Sequence, residues 1–65
     1  MNTFTITSPD SKHELGVVKN ADSLYAGYIT NTGVNKQWVI EYDDFFSLDE
    51  NLQYLYELIE SDYNK

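Results

Sequence analysis

Carboxylates are the one class of reactive side chain that this 65-residue chain holds in quantity: eleven Asp and Glu stand against four Lys and one His, with no Cys and no Arg. Two adjacent pairs, Asp43-Asp44 and Asp49-Glu50, have the residue types for general acid–base catalysis, in which one carboxyl gives a proton and another takes one. That chemistry needs a cleft to drive the two pKa values apart, and both pairs lie in polar stretches where solvated charge is expected. The run Asp43-Asp44-Phe45-Phe46-Ser47-Leu48-Asp49-Glu50 also gathers acids as a calcium loop does. It lacks the D-x-D-x-D-G pattern with its turn glycine, and two phenylalanines fill its middle as an apolar lead-in to the following segment. Nucleophilic catalysis would have to pair a serine with His13, which lies beside a turn and reads as a solvated turn residue. Without a glycine-rich phosphate loop or an arginine fork, no nucleotide or cofactor site is expected. The residues predict a protein that is not an enzyme and carries neither metal nor cofactor.

The acids are unevenly placed. Through residue 36, Asp10, Glu14 and Asp22 balance Lys12, Lys19 and Lys36; residues 37–64 then carry −8, and Lys65 brings the total to −7. Solubility alone would be met by mixed signs and some i,i+4 pairs. Here one sign dominates the second half of the chain. Such a field opposes direct nucleic-acid binding, whose affinity comes largely from Lys and Arg, and it complements a basic protein surface. The residues expected to meet a partner are Glu41, Asp43, Asp44, Asp49, Glu50, Glu57, Glu60 and Asp62, with Tyr54 and Tyr56 adding apolar contact.

The elements that must position them follow from hydrophobic period. Thr3–Thr7 alternates, with Phe4 and Ile6 on one side, and predicts a half-buried strand. Ser8-Pro9-Asp10-Ser11 is a turn in which Asp10 can bond the backbone beyond it. Leu15–Lys19 is a second strand, weakened or bulged at Gly16, that pairs with the first as a hairpin. Leu24–Thr30 reads as a third strand, although Asp22 or Ser23 could cap a short helix there. After the Asn31-Thr32-Gly33 turn, Lys36–Tyr42 is a fourth strand that places Trp38, Ile40 and Tyr42 together. Ser47-Leu48-Asp49-Glu50 matches the S-x-x-E capping box and opens an amphipathic helix. Its stripe is Leu48, Leu52, Leu55 and Ile59, flanked by Tyr56 and Tyr63 on one side and by Tyr54 and Leu58 on the other. The expected fold is α+β: a single domain, residues 1–65, with a small antiparallel sheet of three or four strands against one C-terminal helix. Trp38, Phe4, Phe45 and one or two tyrosines are assigned to the core. Tyr54, Leu58 and Tyr25 are harder for one small sheet to bury.

The helix is electrostatically misassigned at its far end. Asp49 and Glu50 sit at the favourable, positive end of the dipole, but Glu57, Glu60 and Asp62 lie near the negative end without a lysine at i+4. The remaining composition bounds the setting. Aromatic residues make up 15% of the chain, too many for a disordered acidic tail. The absence of cysteine fits a reducing compartment. The start MNTFTITSPDSK has no charged-then-apolar leader pattern, and no apolar run reaches membrane-spanning length. A cytoplasmic location in a bacterial or phage-infected cell is expected.

The segments EYDDFF (41–46) and LDENLQYLYELIESDY (48–63), in a small acidic cysteine-free α+β chain, resemble phage-encoded inhibitors of bacterial defence, the anti-CRISPR and anti-restriction proteins. That resemblance implies DNA-mimic behaviour, with carboxylates standing in for phosphates in a basic groove. The partner would be a nucleic-acid-handling protein such as a CRISPR effector, a restriction enzyme or a nuclease. Two other classes stay open: an immunity or antitoxin protein that occludes one basic nuclease, and a structural or regulatory interaction module, including a homodimer through Tyr54 and Leu58.

Overall fold

Alternating apolar and polar residues make a strand that buries one side, and four such stretches build the first layer of this protein. The computed structural model describes residues 2–65, with strands β1 (Asn2–Thr7), β2 (Glu14–Lys19), β3 (Ser23–Ile29) and β4 (Asn35–Glu41), followed by helix α1 (Leu48–Tyr63). The strands form one antiparallel sheet in the order β1-β2-β3-β4. The architecture is the α+β arrangement that the pattern predicts. The stretch 22–30, where periodicity alone leaves strand and short helix open, is strand: β3 is paired on both sides, which satisfies its backbone groups in a way a short helix there could not.

Register decides what the sheet buries. Val17 stands opposite Phe4 on one side and Ala26 on the other, Ala26 opposite Trp38, Ile6 opposite Leu15, and Leu24 opposite Ile40. Opposed residues share a face, so these side chains form one apolar surface. Helix α1 lies on that surface over β3 and β4 and sends Leu55 and Ile59 into it. Leu15, Val17, Leu24, Ala26, Trp38, Leu55 and Ile59 form the buried core, with Phe4, Ile6, Tyr28, Leu48, Leu52 and Tyr63 packed around its margin. On the sheet's other face Val18, Tyr25 and Val39 stand in a row that no described element covers.

The connections are held by local polar bonds. In the β1–β2 turn, the buried Ser8 hydroxyl accepts from the His13 amide at 3.1 Å and donates to Asp10, whose carboxylate also accepts from the Lys12 amide at 3.1 Å. His13 is exposed beside the turn, as the sequence predicts, and is not isolated there. Its ring stacks on Tyr28 at 4.3 Å between centroids, because the hairpin brings the turn back over the neighbouring strand. In the β3–β4 turn, Gly33 has φ +83, a left-handed conformation that favours glycine.

Phe45 departs from the sequence reading outright. It belongs to no core and is 87% exposed, because it occupies the corner of a turn closed by the Phe46 amide on the Asp43 carbonyl at 3.1 Å. Of the two expectations for Gly16, a weakened strand or a bulge, the bulge is absent: the pairing runs through it with Thr5 and Gly27 directly opposite. The glycine that packing requires is Gly27, where a Cβ would lie 2.5 Å from the Lys36 carbonyl oxygen. At Gly16 the nearest atom would be 3.9 Å away. Gly27→Ala is therefore expected to cost about 1–3 kcal/mol by forcing β3 and β4 apart. Gly16→Ala should stay within about 0.5 kcal/mol of wild type or exceed it. Thermal unfolding of the two variants checks this, and equal losses would contradict the assignment.

Candidate partner-binding face

The acidic face begins in the loop between β4 and α1, and one side chain sets that loop's shape. Asn51 falls on the apolar stripe of α1, one turn after Leu48 and one before Leu55, and is buried. Its Oδ1 accepts from the Asp43 amide at 3.0 Å. Its Nδ2 donates to the carbonyls of Asp43 at 3.0 Å, Phe46 at 3.3 Å and Ser47 at 2.9 Å, sharing two hydrogens among three acceptors. Asp43 adds a second fastening, since its Oδ1 accepts from the Phe45 amide at 2.9 Å. This is an Asx turn, and it throws the two phenylalanine rings outward. Phe45 meets Phe46 edge-on at 5.3 Å, and Phe46 meets Tyr54 of α1 at 6.5 Å.

The helix starts as the capping box predicts. The Ser47 hydroxyl accepts from the Glu50 amide at 3.2 Å, and the Glu50 carboxylate accepts in return from the Ser47 amide at 3.3 Å. Beyond the cap, α1 turns Asp49, Glu50, Gln53, Glu57 and Glu60 to solvent. Glu50 and Glu57 lie two turns apart, about 10 Å along the axis, and line a shallow cleft with Gln53 and Tyr54. Tyr54 is 60% and Leu58 42% exposed, an uncovered i,i+4 ridge beside the carboxylates.

Not every residue expected in the site belongs to this face. Asp62 turns back toward the sheet: it accepts from the Trp38 indole at 3.0 Å and pairs with Lys65 at 3.3 Å. The indole bond, followed by the Lys65 ammonium, holds its carboxyl below the usual carboxylate value. Tyr56 is half-buried on the opposite flank of the helix from Tyr54, in a groove with Ile6, Leu52 and Asp49. Glu41 ends β4 opposite Ser23 and lines a second cleft with Asp43 and Tyr54. Asp44 and Glu60 are exposed and form no ion pair among the described residues, Asp44 in the loop and Glu60 one turn after Glu57. The structure thus unites Asp43, Glu50, Tyr54 and Glu57, leaves Glu41 at the rim with its side chain on the sheet's other face, and separates Tyr56 and Asp62 from them.

Sequence reasoning passed over Phe45 and Phe46 as surface groups and Asn51 as their organiser. Asn51 left a signal, a polar residue in the apolar stripe directly after a cap. Next to the Asp62 bond, Trp38 packs against Tyr63, whose hydroxyl is buried beside Tyr28 and Ser8 without bonding geometry to either. Burial first, then Tyr28, pushes that phenol up. Among the described residues, no group of three or more His, Cys, Asp or Glu could hold a metal ion, and no helix is long and apolar enough to cross a membrane. A sheet-and-helix α+β protein with an acidic, aromatic-edged face is the class these features define. No family model, no curated protein and no solved structure matches the chain.

Two measurements follow from this geometry. The depressed Asp62 carboxyl contributes stability that is present above its unfolded value of 3.8 and is lost as pH falls through the lower folded value. Asp62→Asn should therefore flatten the acid limb of stability below about pH 4 and shift Trp38 fluorescence at neutral pH. An acid limb of unchanged steepness would remove Asp62 from the explanation. At the other end of the electrostatic ledger, Glu60 lies in the last turn of α1, which holds no basic residue. Glu60→Gln is expected to raise stability by about 0.3–1 kcal/mol at low salt, measured by urea unfolding, and the gain should shrink as salt is added.

Proposed function

We propose that this chain is a non-enzymatic inhibitor that binds a basic nucleic-acid-handling protein, its carboxylates occupying the positions that phosphates would take in the partner's groove. One observation carries the reading: the loop and the outer side of α1 present Asp43, Asp44, Asp49, Glu50, Glu57 and Glu60 to solvent with no cation among them. Among the described residues the one ion pair is Asp62 with Lys65, which lies off this face. Lys19 rests over the Tyr42 ring at 4.3 Å, Lys12 belongs to the β1–β2 turn, and Lys36 is in β4. A like-signed field of this kind attracts a cationic partner over distance and rejects a second copy of itself, which weighs against a homodimer through Tyr54 and Leu58. A CRISPR effector, a restriction enzyme or another nuclease has the required basic groove. Binding there displaces nucleic acid by competition and requires no chemistry from the inhibitor.

The test is a binding measurement across ionic strength with a basic nuclease or effector captured at low salt. Replacing Asp43, Asp44, Glu57 and Glu60 by Asn or Gln should lower affinity by at least about tenfold at low salt and reduce the slope of log affinity against log salt. Asp62→Asn serves as the control and should leave the slope unchanged. An unaltered slope in the fourfold variant would remove phosphate mimicry.

A further inference from the structure

The cleft between the end of β4, the loop and the first turns of α1 has features that a general acidic surface lacks. It encloses about 280 Å³ and is lined by Ile40, Glu41, Asp43, Phe46, Asn51 and Tyr54. Small-molecule sites usually occupy about 300–1,000 Å³, so this space suits a single long side chain. The geometry points to this cleft as a recognition pocket for one arginine side chain presented by a basic protein partner. The inference rests on the reading of the chain as a binder of such a partner, and it names the group recognised.

Each part of the pocket answers one part of an arginine. Ile40 and Phe46 offer apolar surface to the methylene stem. Phe46 and Tyr54 present aromatic rings for a stacked guanidinium, a contact favoured by the ring quadrupole. Asp43 supplies charge of the opposite sign, while Glu41 contributes only to the rim, since its side chain alternates to the sheet face away from Ile40. One oxygen of Asp43 is taken by the Phe45 amide, which fixes the carboxylate and leaves its second oxygen for an incoming donor. Asn51 spends its amide on Asp43, Phe46 and Ser47, so it shapes the wall without competing for the ligand. Among the described residues no ion pair supplies a cation here, and Lys19 lies over Tyr42, outside the lining. Arginine is favoured over lysine because a planar, weakly hydrated guanidinium stacks on rings and forks its donors, whereas an ammonium is a strongly hydrated point charge.

The full-length protein can be titrated with three capped pentapeptides, Gly-Ser-X-Ser-Gly, in which X is arginine, lysine or citrulline. Working near 150 mM ionic strength, where the Debye length is about 8 Å, screens the distant acids of α1. The arginine peptide should shift the nuclear magnetic resonance signals of Ile40, Phe46 and Tyr54 saturably and bind about threefold or more tightly than the lysine peptide. Citrulline, isosteric but neutral, should produce no saturable shift. Tyr54→Ala leaves charge unchanged and removes an exposed side chain, so it should fold and weaken the arginine peptide about 3- to 10-fold. Shifts spread evenly over Asp49, Glu57 and Glu60, or equal shifts from citrulline, would overturn the pocket. Neither result touches the acidic-face reading, which stands or falls on the salt slope of the fourfold variant.

Discussion

The buried amide of Asn51 is the constraint on which the rest of this face depends. Between the end of β4 at Glu41 and the start of α1 at Leu48 the chain must reverse direction, and the polar groups of that backbone need partners. Four of them find one in a single side chain. The Asp43 and Ser47 carbonyls also accept from the Phe46 and Asn51 amides, so the Asp43 amide and the Phe46 carbonyl depend on Asn51 most. A bond of this kind contributes about 0.5–1.5 kcal/mol, a real share of what a domain this small can hold. The amide therefore fixes more than a turn. By tying the Asp43 and Phe46 backbones to the first turns of the helix, it sets where two loop acids, two exposed rings and the helix carboxylates lie relative to one another.

Folding and charge pull against each other along α1. At its start the two agree: Asp49 and Glu50 face the positive end of the dipole, and Glu50 completes the capping box. At its end they conflict, since Glu57 and Glu60 repel at i,i+3 and the last turn holds no basic residue. The acid that does find a cation, Asp62, is the one turned away from the outer face, where it anchors Trp38 as well. Carboxylates that serve packing are thus bonded, and those that face outward go without a countercharge.

What the sequence made legible was whatever rests on local pattern. The four strands, the capping box at Ser47 and the stripe through Leu55 and Ile59 follow from period and from bonds spanning three residues. The features that escaped depend on turn corners and on contacts across the fold. Phe45 reads as core by composition, but an Asx turn two residues earlier directs it outward. Tyr54 and Tyr56 are two positions apart and look equivalent in a list of aromatics; at 100° per residue they fall on opposite flanks, one beside Phe46 and one beside Ile6. Asp62 joins the acidic run in sequence and leaves it in space, because its position on the helix faces the Trp38 edge of the sheet. A bond between residues 38 and 62, like the stack of His13 on Tyr28, has no local signature.

The uncovered row of Val18, Tyr25 and Val39 shows why the β4–α1 side is the better place to look for binding. Both surfaces expose apolar atoms, and isolated exposed residues on a small protein need no function. The sheet row has glycine positions beside it at Gly16 and Gly27, and the acids on its face, Glu14 and Glu41, stand at the strand ends. The other side joins rings to carboxylates around a concavity whose backbone is fastened by five side-chain bonds, four from Asn51 and one from Asp43. Charge acting over distance brings a cationic partner in, and it fades within a Debye length as salt rises. Ring stacking and burial act at contact, are far less sensitive to salt, and set the rate of escape. The β4–α1 side sets both kinds of interaction next to each other, exposed carboxylates and exposed rings around one fastened loop.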